Sequence, residues 1–113
     1  MKLLNTQPKI LPDDAETRRK RLLLAETLQI NEIRIKRFIR VFLSKLKIFH
    51  SHEEIEERAE EVFQQTTVRA LEKAEGFDAN RSAYSWLNGI AANIIKQTQN
   101  RVLKRRAKLR RRL

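Results

Sequence analysis

The chain contains no cysteine and only two glycines and two prolines. Without cysteine it can form neither a disulfide framework nor a thiolate metal site, a composition that suits the reducing cytoplasm. So few turn-forming residues also argue against an all-β fold, which needs frequent turns. Because 41% of its 113 residues are hydrophobic, the chain can still build a core. We predict an all-α fold, a small bundle of about four helices.

Long apolar runs and catalytic motifs are missing as well. No segment approaches the roughly 20 apolar residues of a membrane helix, and the first four residues are too short a run for a signal peptide. His50 and His52 are the two histidines, and no Glu-x-x-His pair, glycine-rich phosphate loop or nucleophile motif accompanies them. We therefore expect a cytoplasmic protein without membrane partner, catalytic residue, metal or cofactor.

Positive charge dominates, but it is unevenly placed. The formal net charge is +11, residues 101–113 are mostly Lys and Arg without an acid, and six glutamates lie between Glu53 and Glu61. A basic tail can bind phosphates through counterion release, or it can serve only to keep the chain in solution. Both interpretations stay open at this point.

Helical periodicity divides the chain into a flexible lead-in over residues 1–12, a helical domain over 13–100 and a basic tail over 101–113. A first helix is predicted from Asp13 or Asp14 to about Gln29, with Leu24 and Leu28 facing inward. Asn31 is a candidate cap for a second helix. The inner stripe predicted for the second helix consists of Ile35, Phe38, Ile39, Phe42, Leu46 and Phe49.

Two further helices follow, each with a serine cap. At the third, the Ser51 hydroxyl is expected to accept from the Glu54 amide while the Glu54 carboxylate reaches back to the Ser51 amide. This helix is predicted to run to about Glu75 and to end at a left-handed Gly76. Ser82 is the predicted cap of the fourth helix, which we expect to fray where it enters the basic tail. Its inner stripe is predicted to be Ala83, Trp86, Leu87, Ile90, Ala91, Ile94 and Ile95, with Thr98 and Val102 as weaker members.

The third helix has two distinct stripes at helical spacing. The predicted core stripe is Ile55, Ala59, Val62, Phe63, Thr66 and Ala70. The opposite stripe is Glu57, Glu61, Gln64, Val68 and Leu71, with Gln65 at its margin. Apolar residues at the end of a polar stripe favour a protein-docking face. In the alternative interpretation, Leu71 simply packs under the first helix.

The fourth helix has a different outer surface. Small and amide-bearing residues dominate it: Tyr84, Ser85, Asn88, Ala92, Asn93, Lys96, Asn100 and Arg101. Such residues suit close contact with the edges of nucleic-acid bases, although a plain solvated face is the alternative. The loop over residues 76–81 places Arg81 near Tyr84 and Trp86, where a base could stack. Trp86 also belongs to the inner stripe, and Phe77 can be interpreted as a plug that closes the bundle.

Two segments resemble a known family. Residues 59–71 combine an acidic pair, a glutamine, a threonine and an Arg-Ala step. After them come Phe77-Asp78, Arg81, Ser85-Trp86-Leu87, Ile90-Ala91 and Asn93. This order is similar to region 2 of bacterial RNA polymerase sigma factors of the sigma-70 family, especially the extracytoplasmic-function type. The resemblance covers roughly residues 33 to 106.

The resemblance implies a domain that docks on the clamp helices of the largest polymerase subunit. It places Glu61, Gln64, Gln65 and Arg69 at this contact, and the outer stripe adds Glu57 and Val68. It also implies that the loop and last helix hold the non-template strand of the minus-ten promoter element. The residues expected at the DNA are Phe77, Asp78, Asn80, Arg81, Ser82, Tyr84, Asn88 and Asn93, with Lys96 and Arg101 from the outer face. An anti-sigma factor becomes a further candidate partner.

The chain also departs from the family pattern. Gly89 and Ala92 stand where relatives often carry bulky or basic residues, and Gln97 stands where an acid is usual. The helix-turn-helix domain that reads the upstream promoter element does not occur in these 113 residues, so we expect that they cannot select a full promoter alone. Two other functions are left open: a generic basic helical module that binds nucleic acid, and a polymerase-binding regulator that does not read DNA.

Overall fold

The computed structural model describes residues 14–112 and confirms the predicted all-α fold. Four helices pack around one core: α1 (Ala15–Ile30), α2 (Glu32–Leu46), α3 (His52–Glu72) and α4 (Ala83–Arg112). A short 3-10 turn, Ala74–Gly76, stands between α3 and α4, and this part of the chain has no strand. The predicted lead-in over residues 1–12 lies outside the described residues. The division at residues 100 and 101 also stays a prediction.

Helix α1 begins at an aspartate cap. The Asp14 carboxylate accepts a hydrogen bond from the Thr17 amide at 2.7 Å, and this bond lowers the pKa of Asp14 because it favours the charged form. Leu24 and Leu28 are buried, as predicted. The prediction for Asn31 was wrong in part: it stands between α1 and α2, but its side chain forms no cap hydrogen bond to α2. Its Nδ2 donates back to the Thr27 carbonyl instead.

Helix α2 is amphipathic, but its buried centre differs slightly from the predicted stripe. Ile35 and Ile39 are fully buried, and so is Leu43, which the predicted stripe omitted. Phe38 and Phe42 are only partly buried and pack edge to face, with ring centroids 6.0 Å apart. The large rings thus cover the core from the side, while aliphatic residues fill it. The helix ends at Lys47, which has a left-handed φ of 57°.

Helix α3 starts as predicted and ends earlier than predicted. The Ser51 hydroxyl accepts from the Glu54 amide at 3.1 Å, whereas the Glu54 carboxylate accepts from the His50 amide at 2.8 Å, not from Ser51. The helix stops at Glu72, and the chain tightens into the 3-10 turn over the next residues. Gly76 does not adopt a positive φ, so the predicted left-handed cap was wrong. In the tighter turn the Gly76 and Phe77 amides donate to the Lys73 and Ala74 carbonyls, each at 3.0 Å.

Helix α4 is the longest element and does not end at the basic tail. The Ser82 hydroxyl accepts from the Ser85 amide at 3.1 Å, which confirms the predicted cap. Its buried residues are Leu87, Ala91, Ile94, Ile95 and Thr98. The helix continues through the basic residues to Arg112, and the expected fraying of this end stays a prediction. Arg106 ties it to the bundle, since its guanidinium donates to the Ile48 carbonyl at 2.6 Å.

Ion pairs join α2 to α3 at the edge of the core. The Lys36 ammonium lies 2.7 Å from a Glu32 carboxylate oxygen and 3.0 Å from one of Glu60. The hydrogen bond that the Lys36 ammonium donates to Glu32, and then the one that it donates to Glu60, raise the pKa of Lys36 because both favour the ammonium form. One turn further along α2, Arg40 pairs with Glu56 at 3.5 Å. These contacts hold the first half of α3 against α2.

Candidate functional site

Helix α3 exposes most of the stripe that was predicted for docking. We call the residues of α3 that were predicted at the docking contact the α3 outer face. Its members are Glu57, Glu61, Gln64, Gln65, Val68 and Arg69. The first five are exposed and Arg69 is half-buried. The exposed fraction of Val68 is 56%, which is high for a β-branched apolar residue that sits in mid-helix. The bundle's core therefore does not use this side of α3.

Leu71 does not belong to that exposed stripe. It is partly buried against the core and faces a small cleft beneath α1, next to Leu28 and Phe63. The alternative interpretation from the sequence, in which Leu71 packs under the first helix, is the correct one. The apolar end of the docking stripe consequently stops at Val68.

Two of the grooves beside the α3 outer face contain its Glu61 and its Val68. The larger, of about 640 Å³, runs between the first half of α3 and the second half of α4. One wall carries Glu54 and Glu61, and the other carries Arg101 and Arg105. The smaller groove, of about 360 Å³, is lined by Gln64, Gln65, Val68, Arg69 and Glu72. A partner helix placed along α3 would thus meet carboxylates at one end and an exposed valine at the other.

The orientation of Glu61 is set locally. Its carboxylate lies 3.1 Å from the Arg58 guanidinium, one turn earlier in the helix. Both side chains are largely exposed, with 59% of Glu61 and 40% of Arg58 open to solvent. Such a surface pair contributes little to stability. Glu61 can therefore exchange Arg58 for a cation of a partner without cost to the fold.

The loop between α3 and α4 divides into a buried and an exposed part. Phe77 is 1% exposed and packs against Trp86 with ring centroids 5.0 Å apart. Its predicted place in the DNA contact is corrected, because a side chain so deeply buried holds the bundle together and is closed to a ligand. The interpretation of Phe77 as a plug, and of Trp86 as mainly structural, fits this geometry.

The exposed part of the loop is closed by Asp78. Its carboxylate accepts from the Asn80 amide at 2.9 Å and lies 3.7 Å from the Arg81 guanidinium. Its carbonyl accepts from the Arg81 amide at 2.9 Å. The short aspartate side chain thus forms a turn with its own backbone, as this residue commonly does. Asp78, Asn80, Arg81 and Ser82 are all exposed beside this turn.

Three residues near this loop, one from α2 and two from α1, were missed by the sequence reasoning. The Arg34 guanidinium of α2 lies over the Tyr84 ring, 4.4 Å from its centroid. On the other side, Arg19 and Lys20 of α1 share a cleft of about 430 Å³ with Asp78 and Asn80. Lys20 donates to the Glu75 carbonyl at 3.1 Å. These pairs are more than 45 positions apart, and no local pattern signals them.

The outer side of α4 contains the remaining predicted DNA contacts. Asn93, Lys96 and Arg101 are exposed, whereas Tyr84 and Asn88 are half-buried. Within residues 14–112, the Asn88 Oδ1 atom is shielded from solvent and has no hydrogen-bond partner. An acceptor in that condition is costly to leave unpaired. The predicted DNA residues therefore fall into two groups: a loop cluster of Asp78, Asn80, Arg81, Ser82 and Tyr84, and an outer row along α4 of Asn88, Asn93, Lys96 and Arg101.

The two candidate surfaces meet between α3 and α4. Arg69, which was assigned to the docking face, donates from Nη1 to the Gln97 Oε1 atom of α4 at 3.5 Å. Gln65 and Arg69 line a cleft together with Gln97, Asn100, Arg101 and Lys104. The docking residues and the outer row of α4 are thus neighbours across one edge of the molecule.

Comparisons of the chain with known protein families, with curated proteins and with solved structures found no match. Within residues 14–112, no helix is both long enough and apolar enough to span a membrane. In the same range, no three His, Asp or Glu side chains gather as a metal ion would require.

Proposed function

We propose that this chain acts in transcription initiation as a sigma-factor domain of the region 2 type, in the cytoplasm. In this function Glu57, Glu61, Gln64 and Val68 of the α3 outer face bind the clamp helices of core RNA polymerase. The loop end and the outer row of α4 bind the non-template strand of the minus-ten element. The proposal rests first on the resemblance of residues 59–71 and 77–93 to that family.

The observation that best supports the polymerase contact is the position of Val68. It is exposed in a shallow groove next to Gln64, with the Glu61 carboxylate two turns away on the same side of α3. Interfaces commonly combine a small apolar centre with polar groups at the rim. A basic partner helix could contact Val68 through an apolar residue and Glu61 through a cation, and the charge pair would fix its direction.

The strand contact is supported by the loop cluster. Tyr84 presents a ring that already holds the Arg34 guanidinium at 4.4 Å, and Asn80 and Arg81 stand exposed nearby. An aromatic ring and a guanidinium plane are the groups on which an unstacked base packs, at about 1–3 kcal/mol per base. Binding of separated strands in preference to duplex would shift the DNA towards the open state without any hydrolysis.

The test is retention of core RNA polymerase by the full chain. We expect the chain to hold polymerase and the variant Glu61→Lys/Gln64→Lys to bind it at least about tenfold more weakly, which corresponds to about 1.4 kcal/mol. Glu26→Lys/Gln29→Lys on α1 is the matched control, because it changes the same two residue types at the same spacing on another exposed surface. Equal loss in both variants, or no retention by the natural chain, would refute the proposal.

A generic basic nucleic-acid module is the second candidate. It is favoured by the continuation of α4 to Arg112, which arranges the basic residues on a regular helix. Strand preference separates the two functions. A generic module would bind duplex at least as well as single strands and would ignore sequence. The sigma function requires preference for a single-stranded minus-ten segment, lost on replacing Tyr84 with Ala.

A further inference from the structure

One cleft between α3 and α4 differs from the other grooves described above, because its lining contains cations and no carboxylate. We call it the cationic furrow. Its volume is about 530 Å³, and its lining residues are Gln65, Arg69, Gln97, Asn100, Arg101 and Lys104. Three of the six are cations, three are amides, and none is acidic, apolar or aromatic. This composition is informative about what the furrow can bind.

The cations of the furrow are available for a ligand. Among residues 14–112, neither Arg101 nor Lys104 forms an ion pair. Arg69 is positioned by its hydrogen bond to Gln97, which draws its guanidinium from α3 towards α4. In the larger groove nearby, Arg101 and Arg105 instead face Glu54 and Glu61 across the space. The furrow is thus a cationic strip that no carboxylate of its own lining neutralises.

The furrow continues along α4 as a regular row. Gln97, Arg101, Lys104, Lys108 and Arg111 recur at spacings of four, three, four and three, so they share one side of the helix. At 1.5 Å per residue the row is about 21 Å long. Lys108 and Arg111 are exposed. Five cations, including Arg69 from α3, therefore stand along one straight edge of the molecule.

We propose that this furrow binds the phosphodiester backbone of duplex DNA, and that Arg69 serves this contact and not polymerase. Guanidinium, ammonium and amide groups donate hydrogen bonds that suit phosphate oxygens. A protein partner would need an apolar anchor, and a membrane surface would need an apolar face, but the furrow lining contains neither. Without an aromatic ring it offers no stacking platform for the bases of a single strand.

The choice of DNA over RNA rests on the proposed function in transcription, whereas the binding of a duplex backbone does not. In that setting the furrow would hold the part of the promoter that remains double-stranded, and the loop cluster would hold the separated strand. The division reassigns Gln65 and Arg69, which were expected at the clamp helices, and Arg101, which was expected at the separated strand. The polymerase contact then consists of Glu57, Glu61, Gln64 and Val68.

The experiment measures binding of the full chain to a fluorescent 20-base-pair DNA duplex by anisotropy, between 50 and 200 mM salt and without polymerase. Two probes of unrelated sequence should bind equally, since backbone contacts carry no sequence information. Replacing Arg101 and Lys104 with Gln should weaken binding about tenfold or more at 50 mM salt. The slope of log K against log salt should become shallower by about 1.8, because two phosphate contacts contribute about 0.9 each.

Arg37→Gln/Lys45→Gln is the control, because it removes one arginine and one lysine from exposed positions on α2. An equal loss in this control would overturn the proposal, since net charge and not the furrow would then govern binding. The Arg101→Gln/Lys104→Gln variant should keep its affinity for a single-stranded minus-ten segment, and an equal loss for that strand would also overturn the proposal. Equal binding of an RNA duplex would overturn the choice of DNA. Thermal unfolding of each variant checks that the fold is intact.

Arg69→Gln separates this inference from the proposed function. We expect it to lower duplex affinity severalfold while leaving retention of core polymerase unchanged. If it instead weakens polymerase binding and spares the duplex, Arg69 belongs to the docking face and the inference fails. Failure of the whole chain to bind polymerase would count against the proposed function but would leave the duplex result standing.

Discussion

Helices α3 and α4 are alike on the inside and opposite on the outside. Both begin at a serine cap, and both place small and aliphatic residues in the core, Ala59 and Val62 from α3 and Ala91 and Ile94 from α4. Outside, α3 starts with glutamates and ends with an exposed valine, whereas α4 passes from amides to a run of cations. The shared interior builds the bundle, and the unlike exteriors distinguish what each helix can bind.

The largest expected effect on stability concerns Phe77, which lies in the loop between α3 and α4 and closes the bundle. Phe77→Ala should lower the free energy of unfolding by about 3–5 kcal/mol, because it removes a fully buried ring and leaves a cavity beside Trp86. Urea denaturation measures the change. Phe77→Leu is the control, and it should cost less than about 1.5 kcal/mol. A loss below about 1 kcal/mol for the alanine variant would mean that the loop does not contribute to the common core.

Replacing the two cap serines tests whether both caps contribute equally to the free energy of unfolding. Ser51→Ala and Ser82→Ala should each lower the free energy of unfolding by about 1 kcal/mol, because each leaves one amide at a helix start without its acceptor. Since the caps belong to separate helices, the double variant should lose about the sum. Thermal or urea unfolding of the three variants provides the values. If one of the two variants kept the free energy of unfolding of the natural chain, the caps of α3 and α4 would differ in their contribution to stability.

The outer side of α4 contains a glycine with no structural need for one. Gly89 lies within the helix, has no positive φ, and a Cβ added there would meet no atom within 4 Å. Gly89→Ala should therefore raise the free energy of unfolding by about 0.5–1 kcal/mol. Gly76→Ala, at the last residue of the 3-10 turn and in equally open space, should change it less. Destabilisation by Gly89→Ala would reveal a constraint on α4 that its open surroundings do not predict.

The smallest expected effect is the pH dependence of the ion pairs that join α2 to α3. The pKa of Lys36 is raised above its usual 10.5, first by the Glu32 hydrogen bond and then by that of Glu60. The folded state thus holds this proton more tightly than the unfolded state does. The resulting stability is fully present below pH 10.5 and is lost as the pH rises through the higher folded value.

Lys36→Met measures that contribution. Because the pairs are near the surface, the difference in unfolding free energy between the natural chain and the variant should be below about 1 kcal/mol at pH 8. Urea unfolding at pH 8, 10 and 11.5 should show the natural chain losing its relative advantage at the highest pH. A difference that grows with pH would contradict the direction of the pKa change.

Periodicity predicted the fold well because the core residues of each helix recur at a regular spacing within one short segment of the sequence. Leu24, Ile39, Val62 and Leu87 all lie where their spacing placed them, and the two serine caps depend on contacts three residues apart. The ends of the helices were harder to predict. A glycine permits a left-handed cap without requiring one, and the chain used a 3-10 turn at Gly76 instead.

The candidate surfaces were predicted only where one helix forms them. The exposed stripe of α3 follows from the spacing of Glu61, Gln64 and Val68. Contacts between helices do not, because nothing local pairs Arg34 with Tyr84 or Arg69 with Gln97. Leu71 is the instructive case: its position on α3 is right for the outer stripe, but α1 covers it. Whether an apolar residue is exposed depends on a neighbour that the local pattern does not contain.

The most direct test of the difference between α3 and α4 is retention of core RNA polymerase by three chains in parallel. These are the natural chain, Glu61→Lys/Gln64→Lys on α3, and Arg101→Gln/Lys104→Gln on α4. The natural chain and the α4 variant should bind polymerase with equal affinity, while the α3 variant should lose at least about tenfold. If the α4 variant loses polymerase and the α3 variant keeps it, the two outer faces have been assigned the wrong way round.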